Sequence, residues 1–175
     1  MLLLSTGVRI SEAASLTFSD IRRDHSEIHL RPGKGRSERN VPLTDDLVLA
    51  LEGYCHALRA MPDGHMPVRE SPVFLMADGK KQANANRLRS IFKRVRNAAG
   101  LAGSGYTPHS CRHYFALQIY LQKHDLLLVK CLLGHKSLNA TEIYLRLAAT
   151  SVVRDEGYVN PLTKLLKEKQ GNKHA

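Results

Sequence analysis

Near the C-terminal end of the chain, arginine, histidine and tyrosine occur in an order suited to attack on a phosphodiester. His109 and Arg112 are three positions apart, His135 ends a Leu-Gly-His sequence, and Tyr144 comes nine positions later. Arginine can grip a phosphate through two donors, and histidine can move a proton near neutral pH. A tyrosine hydroxyl can form a covalent intermediate. Together these residue types predict phosphoryl transfer that needs no metal.

A second cluster lies at the other end of the chain, in the sequence Thr6-Gly-Val-Arg9-Ile-Ser-Glu12. Arg9 is placed at the start of a short predicted helix, where unpaired backbone amides also favour an anion. Glu12 is three positions further on, so it can hold the arginine in place. Arg9 could also be one more exposed arginine in a basic chain. The motif around it favours a phosphate-binding role.

The two clusters together resemble the catalytic domain of the tyrosine recombinases, the phage-integrase family, over roughly residues 2–144. The resemblance implies a nucleophilic tyrosine that forms a 3′-phosphotyrosyl link with DNA, two arginines on the scissile phosphate, a histidine proton shuttle and a histidine donor to a non-bridging oxygen. The resemblance places the nucleophile at Tyr144 and the two phosphate-binding arginines at Arg9 and Arg112. It places the proton shuttle at His109 and the hydrogen-bond donor at His135.

A predicted hairpin carries Lys34 between two glycines, which let the loop bend toward a ligand. Hairpin tips often carry solvated lysines. The resemblance instead implies a mobile lysine here that protonates the departing 5′ oxygen. Arg36 and Arg39 are close rivals for this role.

For Tyr144 to attack, its hydroxyl must lose a proton, and the pKa of a phenol is ordinarily near ~10. His109 is the expected proton acceptor. The positive charges of Arg9, Arg112 and Lys34 are expected to favour phenolate character by lowering the pKa of Tyr144.

Two histidines on one helix face leave a metal site as an alternative. His109 and His113 have the i, i+4 spacing of some zinc ligands, but Ser110 stands where the zinc-protease motif has glutamate. We therefore expect no metal and no cofactor, and His113 is expected to be a packing or supporting residue. Tyr114 and Tyr120 are expected on the packed surface of the same helix.

The composition favours a polyanionic partner. The formal net charge is +10 and the isoelectric point is about 9.8, and basic side chains gain affinity for nucleic acid by displacing counterions. Three cysteines without CxxC spacing indicate reduced thiols, and no apolar run reaches the length of a membrane span. We expect a cytoplasmic protein, bacterial or encoded by a phage or plasmid.

The predicted fold is α+β and mainly helical, with a small antiparallel sheet. Residues 1–175 are expected to form one catalytic domain, with a core over 1–150, a tail over 151–175 and an N-terminal core-binding domain apparently absent. Leucines 2–4 predict the last turn of a helix. Helices are predicted over 9–16, 45–59, 86–99, from 108, over 125–133 and around Tyr144; strands over 28–30, 40–43 and 73–76; a turn at 18–21.

The basic helix 86–99 is the predicted DNA-contacting element, because one of its faces could enter a groove. The alternative is a solvated charged face. The expected partners are double-stranded DNA and further recombinase protomers in a synaptic tetramer, with a monomer in isolation. The predicted DNA-binding residues are Arg36, Arg87, Arg89 and Lys93.

Three functions fit these observations. The first is a site-specific recombinase or integrase. The second is a type IB topoisomerase-like strand transferase, which shares the chemistry but fits the short hairpin and the Leu-Gly-His to tyrosine spacing less well. The third is a DNA-binding module without autonomous catalysis.

Overall fold

The computed structural model describes residues 1–33, 37–60, 68–76, 78–144 and 146. The helices are α1 (Leu2–Thr6), α2 (Ile10–Ser15), α3 (Asp45–Arg59), α4 (Ala85–Ala98), α5 (Pro108–Lys123) and α6 (Leu126–Leu133). The strands are β1 (Ile21–Arg22), β2 (Glu27–Leu30) and β3 (Arg39–Pro42). Residues 139–144 are helical as well. The predicted α+β, mainly helical fold is confirmed.

The sheet is antiparallel in the order β1-β2-β3. Ile28 on β2 pairs with Ile21 on β1 and with Val41 on β3, and its side chain is fully buried in the core. The predicted β2–β3 hairpin is therefore confirmed. Its tip, with Lys34 and Arg36, lies outside the described residues.

Two local predictions are wrong. The segment 18–21 is not only a turn, because a 3₁₀ helix at Phe18–Asp20 leads into β1. The segment 73–76 is not a strand: its neighbourhood forms only the isolated bridges Thr17↔Pro72 and Leu75↔Gln82. Strand formation here depends on partners distant in sequence, which the local residue pattern does not identify.

The bounds of α2, α3, α4 and α6 lie within one residue of the predicted ones. Thr107 caps α5 by accepting from the Ser110 amide at 3.3 Å, and Pro108 follows as the first helical residue. Asp125 caps α6 in the same way. Gly7 and Gly134 end α1 and α6 with φ of 63° and 64°, a backbone conformation that glycine adopts without strain.

The apolar residues form two clusters. One surrounds the sheet and includes Val8, Ile28, Val41 and Leu47; the other joins α5 and α6 to the helical residues 139–144. Gly7 lies against the side chains of Phe115 and Leu133, which belong to the second cluster. The loop after α1 therefore connects the clusters. None of the described helices has the length and apolarity needed to cross a bilayer.

Candidate active site

Arg9 and Glu12 form the first part of the site. Arg9 is the N-cap residue of α2, and its backbone N–H donates to Glu12 Oε2 at 2.7 Å. Its guanidinium Nη1 lies 3.4 Å from Glu12 Oε1 and a third of its side chain is exposed. The predicted contact between these two residues is confirmed. The Glu12 carboxylate accepts the hydrogen bond of the Arg9 backbone amide, while the Arg9 side chain remains partly exposed to solvent.

Arg39 from β3 is the stronger partner of Glu12. Its guanidinium donates to both carboxylate oxygens, at 3.0 and 2.8 Å, and through Nε to the Leu132 carbonyl at 2.8 Å. Both side chains of the pair are 7% exposed. Burial alone would raise the pKa of Glu12, but the bonds from Arg39 and Arg9 outweigh it and the pKa is lowered. Arg39 is therefore fixed in an ion pair. It lacks the mobility expected of the hairpin residue that protonates the departing 5′ oxygen.

Arg112 from α5 occupies the centre of the site. It is 2% exposed, and it donates to the Gly7 carbonyl at 2.7 Å and to the Leu133 carbonyl at 2.5 Å. Burial, together with the nearby charge of Arg9, lowers its pKa to about 10, so it remains a cation at neutral pH. Arg112 thus connects the chain turns after α1 and α6.

Tyr144 is 1% exposed, and its hydroxyl forms a 3.0 Å hydrogen bond with Nδ1 of His113. Burial raises the pKa of Tyr144, and the positive charge of Arg112 offsets this only in part. The expectation of phenolate character is therefore wrong for this structure. His113, expected to be a packing or supporting residue, contacts the hydroxyl directly.

His135 is hydrogen-bonded to Thr141, a residue that the sequence analysis did not single out. Its Nδ1 lies 3.0 Å from Oγ1 of Thr141, which is fully buried. Burial and the charges of Arg112, Arg9 and Arg39 lower the pKa of His135 to about 4. The ring is therefore neutral at neutral pH and has one N–H to donate.

A cleft of about 570 Å³ borders these residues and is strongly basic. Arg9, His109 and Arg112 line it, together with the predicted DNA-binding residues Arg89 and Lys93 of α4. Arg87, the remaining predicted residue on α4, is not among the lining residues. The fold thus brings the basic helix face next to two of the arginines of the site.

Four side chains act on one another at the centre of the site. The positive charge of Arg112 acts to lower the pKa of His113, His135 and Tyr144, and His113 is hydrogen-bonded to Tyr144. Among the residues that the structure describes, no group of three or more histidine, cysteine, aspartate or glutamate side chains could hold a metal ion. His109 contacts His113 through ring centroids 4.3 Å apart.

Sequence reasoning missed the positions of Arg39, His113 and Thr141. Arg39 and Glu12 are 27 positions apart and on different elements. His113 was visible as the second histidine of the α5 motif, but only the position of Tyr144 reveals its contact. Thr141 carried no sequence signal. Tyr114 was expected on the packed surface, yet it is 54% exposed.

A family model for the phage integrase family matches residues 1–151. This chain belongs to that family. Similar proteins include tyrosine recombinase XerA of Pyrococcus furiosus, 29% identical over 166 residues, and tyrosine recombinase XerC of Neisseria gonorrhoeae, 34% identical over 170 residues. These alignments cover 95% and 93% of the chain but 55% and 50% of the relatives. The chain thus spans about half the length of the relatives it matches.

Solved structures agree with the family assignment. A crystal structure of XerA recombinase superposes with a TM-score of 0.69 at 25% identity, over 99% of this chain and 55% of that one. A pre-cleavage complex of XerH site-specific recombinase with its difH substrate gives a TM-score of 0.66 at 29% identity, over 89% of this chain and 45% of that one. The fold of this phage integrase family member is therefore that of a recombinase catalytic region.

Proposed function

We propose that this chain is the catalytic part of a site-specific recombinase that cleaves and rejoins DNA through a 3′-phosphotyrosyl intermediate. One observation carries the proposal. The Tyr144 hydroxyl is hydrogen-bonded to His113, which packs against His109, and His109 lines the same basic cleft as Arg9 and Arg112. A phosphate in that cleft would face two guanidinium groups with a tyrosine nearby.

Each residue has a chemical task in this proposal. The hydroxyl of Tyr144 attacks phosphorus, and Arg9, Arg112 and His135 donate hydrogen bonds to the non-bridging oxygens as charge develops there. Lys34 protonates the leaving 5′ oxygen. The phosphotyrosyl bond retains the energy of the broken bond, so a 5′ hydroxyl from another strand can reverse the step and complete the exchange.

Double-stranded DNA is the proposed substrate. Arg89 and Lys93 line the same cleft as Arg9 and His109, so they would contact phosphates beside the scissile one. Arg36 and Arg87 remain predicted DNA contacts, the first outside the described residues. XerH, which is similar to this chain, has been seen bound to its difH substrate.

We propose further that protomers assemble as a synaptic tetramer on DNA and that the protein acts in the cytoplasm. The tail 151–175 is proposed to pack on its own domain or on a neighbouring protomer. Three cysteines without disulfide bonds are consistent with a reducing compartment.

A nicked suicide duplex tests the proposal. The duplex carries a binding sequence enriched from a random library, and release of a short 5′-hydroxyl fragment traps the cleaved product. We expect a covalent adduct from the unaltered chain and none from Tyr144→Phe. Tyr114→Phe, at an exposed tyrosine that does not line the cleft, is the matched control and should still form the adduct. DNA binding without any adduct would instead favour a non-catalytic DNA-binding module.

A further inference from the structure

The Tyr144 hydroxyl has one hydrogen-bonding partner within the described residues, and that partner is His113. The two rings are tilted, with centroids 5.7 Å apart, and Oη lies 3.0 Å from Nδ1. His109, which the family motif assigns to proton transfer, has no such bond to the tyrosine among those residues. The nearest proton acceptor is therefore the second histidine of the α5 motif.

We propose that His113 is the catalytic base that takes the proton from Tyr144 as the hydroxyl attacks phosphorus. The inference rests on the proposed function, because it assigns a partner to the proposed nucleophile. A general base must lie within hydrogen-bond reach of the proton that it removes, and His113 meets that condition.

The surroundings of His113 favour its neutral form. Burial lowers its pKa, and the nearby His109 and Arg112 lower it further. The titratable and charged groups that act on it or on its bond are His109, Arg112, His135 and Tyr144. At neutral pH His113 is therefore uncharged, and the tautomer with the proton on Nε2 leaves Nδ1 free to accept.

His109 keeps a task in this scheme. Its ring packs edge-on against that of His113, with centroids 4.3 Å apart, and it also lines the basic cleft. His109 is therefore a positioning residue that supports the His113 ring beside the cleft. In this scheme the proton that the resemblance assigns to His109 is carried by His113 instead.

The bonds and protons balance in both directions. In cleavage the Oη–H bond breaks and the proton moves to His113 Nδ1, while Oη forms a bond to phosphorus. The bond from phosphorus to the 5′ oxygen breaks, and that oxygen takes a proton from Lys34. In rejoining, a 5′ hydroxyl gives its proton to Lys34 and attacks phosphorus, and His113 returns the proton to Oη.

A competing role follows from burial. Tyr144 is 1% exposed, so DNA must open the site before attack. If His113 only restrained the resting tyrosine, its removal would speed cleavage. If His113 is the base, its hydrogen bond to Tyr144 persists when DNA opens the site, and removing the His113 side chain slows cleavage. The sign of the effect separates the two roles.

The test measures single-turnover adduct formation on the nicked duplex with His113→Asn. Asparagine places an oxygen or nitrogen near the former Nδ1 position, so the variant can keep a hydrogen bond to Tyr144 but cannot accept its proton. We expect cleavage to fall by about 10²- to 10⁴-fold with DNA affinity unchanged. His113→Ala with added imidazole is the second variant, and we expect the imidazole to restore part of the rate.

The pH profile provides a readout that a purely structural role would not move. The unaltered chain should gain rate with pH until His113 is fully neutral and then level off. The His113→Asn variant should keep gaining rate, because hydroxide must then remove the proton. A 5′-phosphorothiolate duplex, whose sulfur leaves without protonation, should rescue Lys34→Ala but not His113→Asn.

Three results would overturn the inference. One is a rate in His113→Asn equal to or above that of the unaltered chain. Another is an unchanged pH profile with no rescue by imidazole. The third is rescue of His113→Asn by the phosphorothiolate duplex. An absent adduct from the unaltered chain on DNA that it binds would overturn the proposed function itself, and the inference with it.

Discussion

Two halves of the candidate site are held in place by different kinds of interaction. The Glu12 half relies on one buried carboxylate that accepts from two guanidinium groups and a backbone amide. The Tyr144 half relies on backbone carbonyls and on hydrogen bonds between groups that are neutral at neutral pH. The Glu12 half comprises Arg9, Glu12 and Arg39; the Tyr144 half comprises Arg112, His113, His135, Thr141 and Tyr144.

The two halves differ in whether the groups that hold them are ionised or neutral. In the Glu12 half both side-chain partners of the carboxylate are ionised, and the bidentate contact with Arg39 fixes the geometry. In the Tyr144 half, His113 and His135 have lowered pKa values and the pKa of Tyr144 is raised, so burial keeps all three groups in their neutral forms at neutral pH. The Glu12 half is therefore held by charge, and the Tyr144 half by hydrogen bonds between neutral groups.

Removing the carboxylate should give the largest effect. Glu12→Gln leaves Arg39 as a buried cation without its anion, and we expect the free energy of unfolding to fall by about 3–5 kcal/mol. Urea unfolding monitored by circular dichroism measures the change. Glu52→Gln removes an exposed partner of Arg23 and should cost only ~0–1 kcal/mol. Equal losses in the two variants would show that the Glu12 half is not held by this pair.

The next largest loss of stability is expected at Gly7, in the loop that packs against Phe115 and Leu133. Gly7 has φ of 63°, and a Cβ there would collide with the Phe115 ring and lie 3.1 Å from a Leu133 methyl carbon. Gly7→Ala should therefore cost about 3 kcal/mol from overpacking and backbone strain together. Gly103→Ala is the matched control, since its φ is 80° but its Cβ would meet no atom within 4 Å.

The control should lose about 1–2 kcal/mol, from backbone strain alone. If both variants lost the same amount of stability in urea unfolding, packing at Gly7 would contribute nothing. In that case the connection between the halves would depend on Arg112 and its two carbonyl acceptors.

Some contacts in the site could be predicted from the sequence, and others could not. The Arg9–Glu12 contact was predictable because the residues are three apart on one short helix. The positions of Gly7 and Gly134 were predictable too, because helix ends depend on local backbone chemistry. The Arg39–Glu12 pair was not, since the hairpin carries several basic residues and only the packed fold selects one.

The Tyr144 half was less predictable. A motif names Tyr144 and His135, but their partners depend on how residues 139–144 pack on α5. Helical periodicity also does not say which face of α5 is covered, so Tyr114 was wrongly expected on the packed surface. Strand β1 has two residues, too few for a periodic signal.

Acidification should affect the halves in different pH ranges. The pKa of His135 falls from 6.5 to about 4 on folding, so the unfolded chain binds its proton more readily. Stability should therefore decrease as pH falls from 6.5 to about 4, by on the order of 1–2 kcal/mol after allowance for partial exposure. The lowered pKa of Glu12 adds a loss only below its ordinary value of 4.5.

Unfolding measured across pH tests this separation. His135→Gln should remove part of the slope between pH 6.5 and 4, and His113, whose pKa is also lowered, should account for the remainder. Glu12→Gln should remove part of the slope below 4.5. His25→Gln, at an exposed position, should retain both slopes. A slope between pH 6.5 and 4 that is unchanged in His135→Gln would assign the whole proton uptake to another group of the Tyr144 half.

The smallest effect is expected at Thr141, which holds His135. Thr141→Val keeps the shape of the side chain and removes the hydroxyl, so the loss should be about 0.5–1.5 kcal/mol, one neutral hydrogen bond. Thr141→Ser retains the hydroxyl and is the matched control. Because the lost bond orients the ring, the ¹⁵N chemical shifts of His135 should change in Thr141→Val and not in Thr141→Ser. Unchanged shifts in both variants would mean that the arginines, and not Thr141, set the proton position on His135.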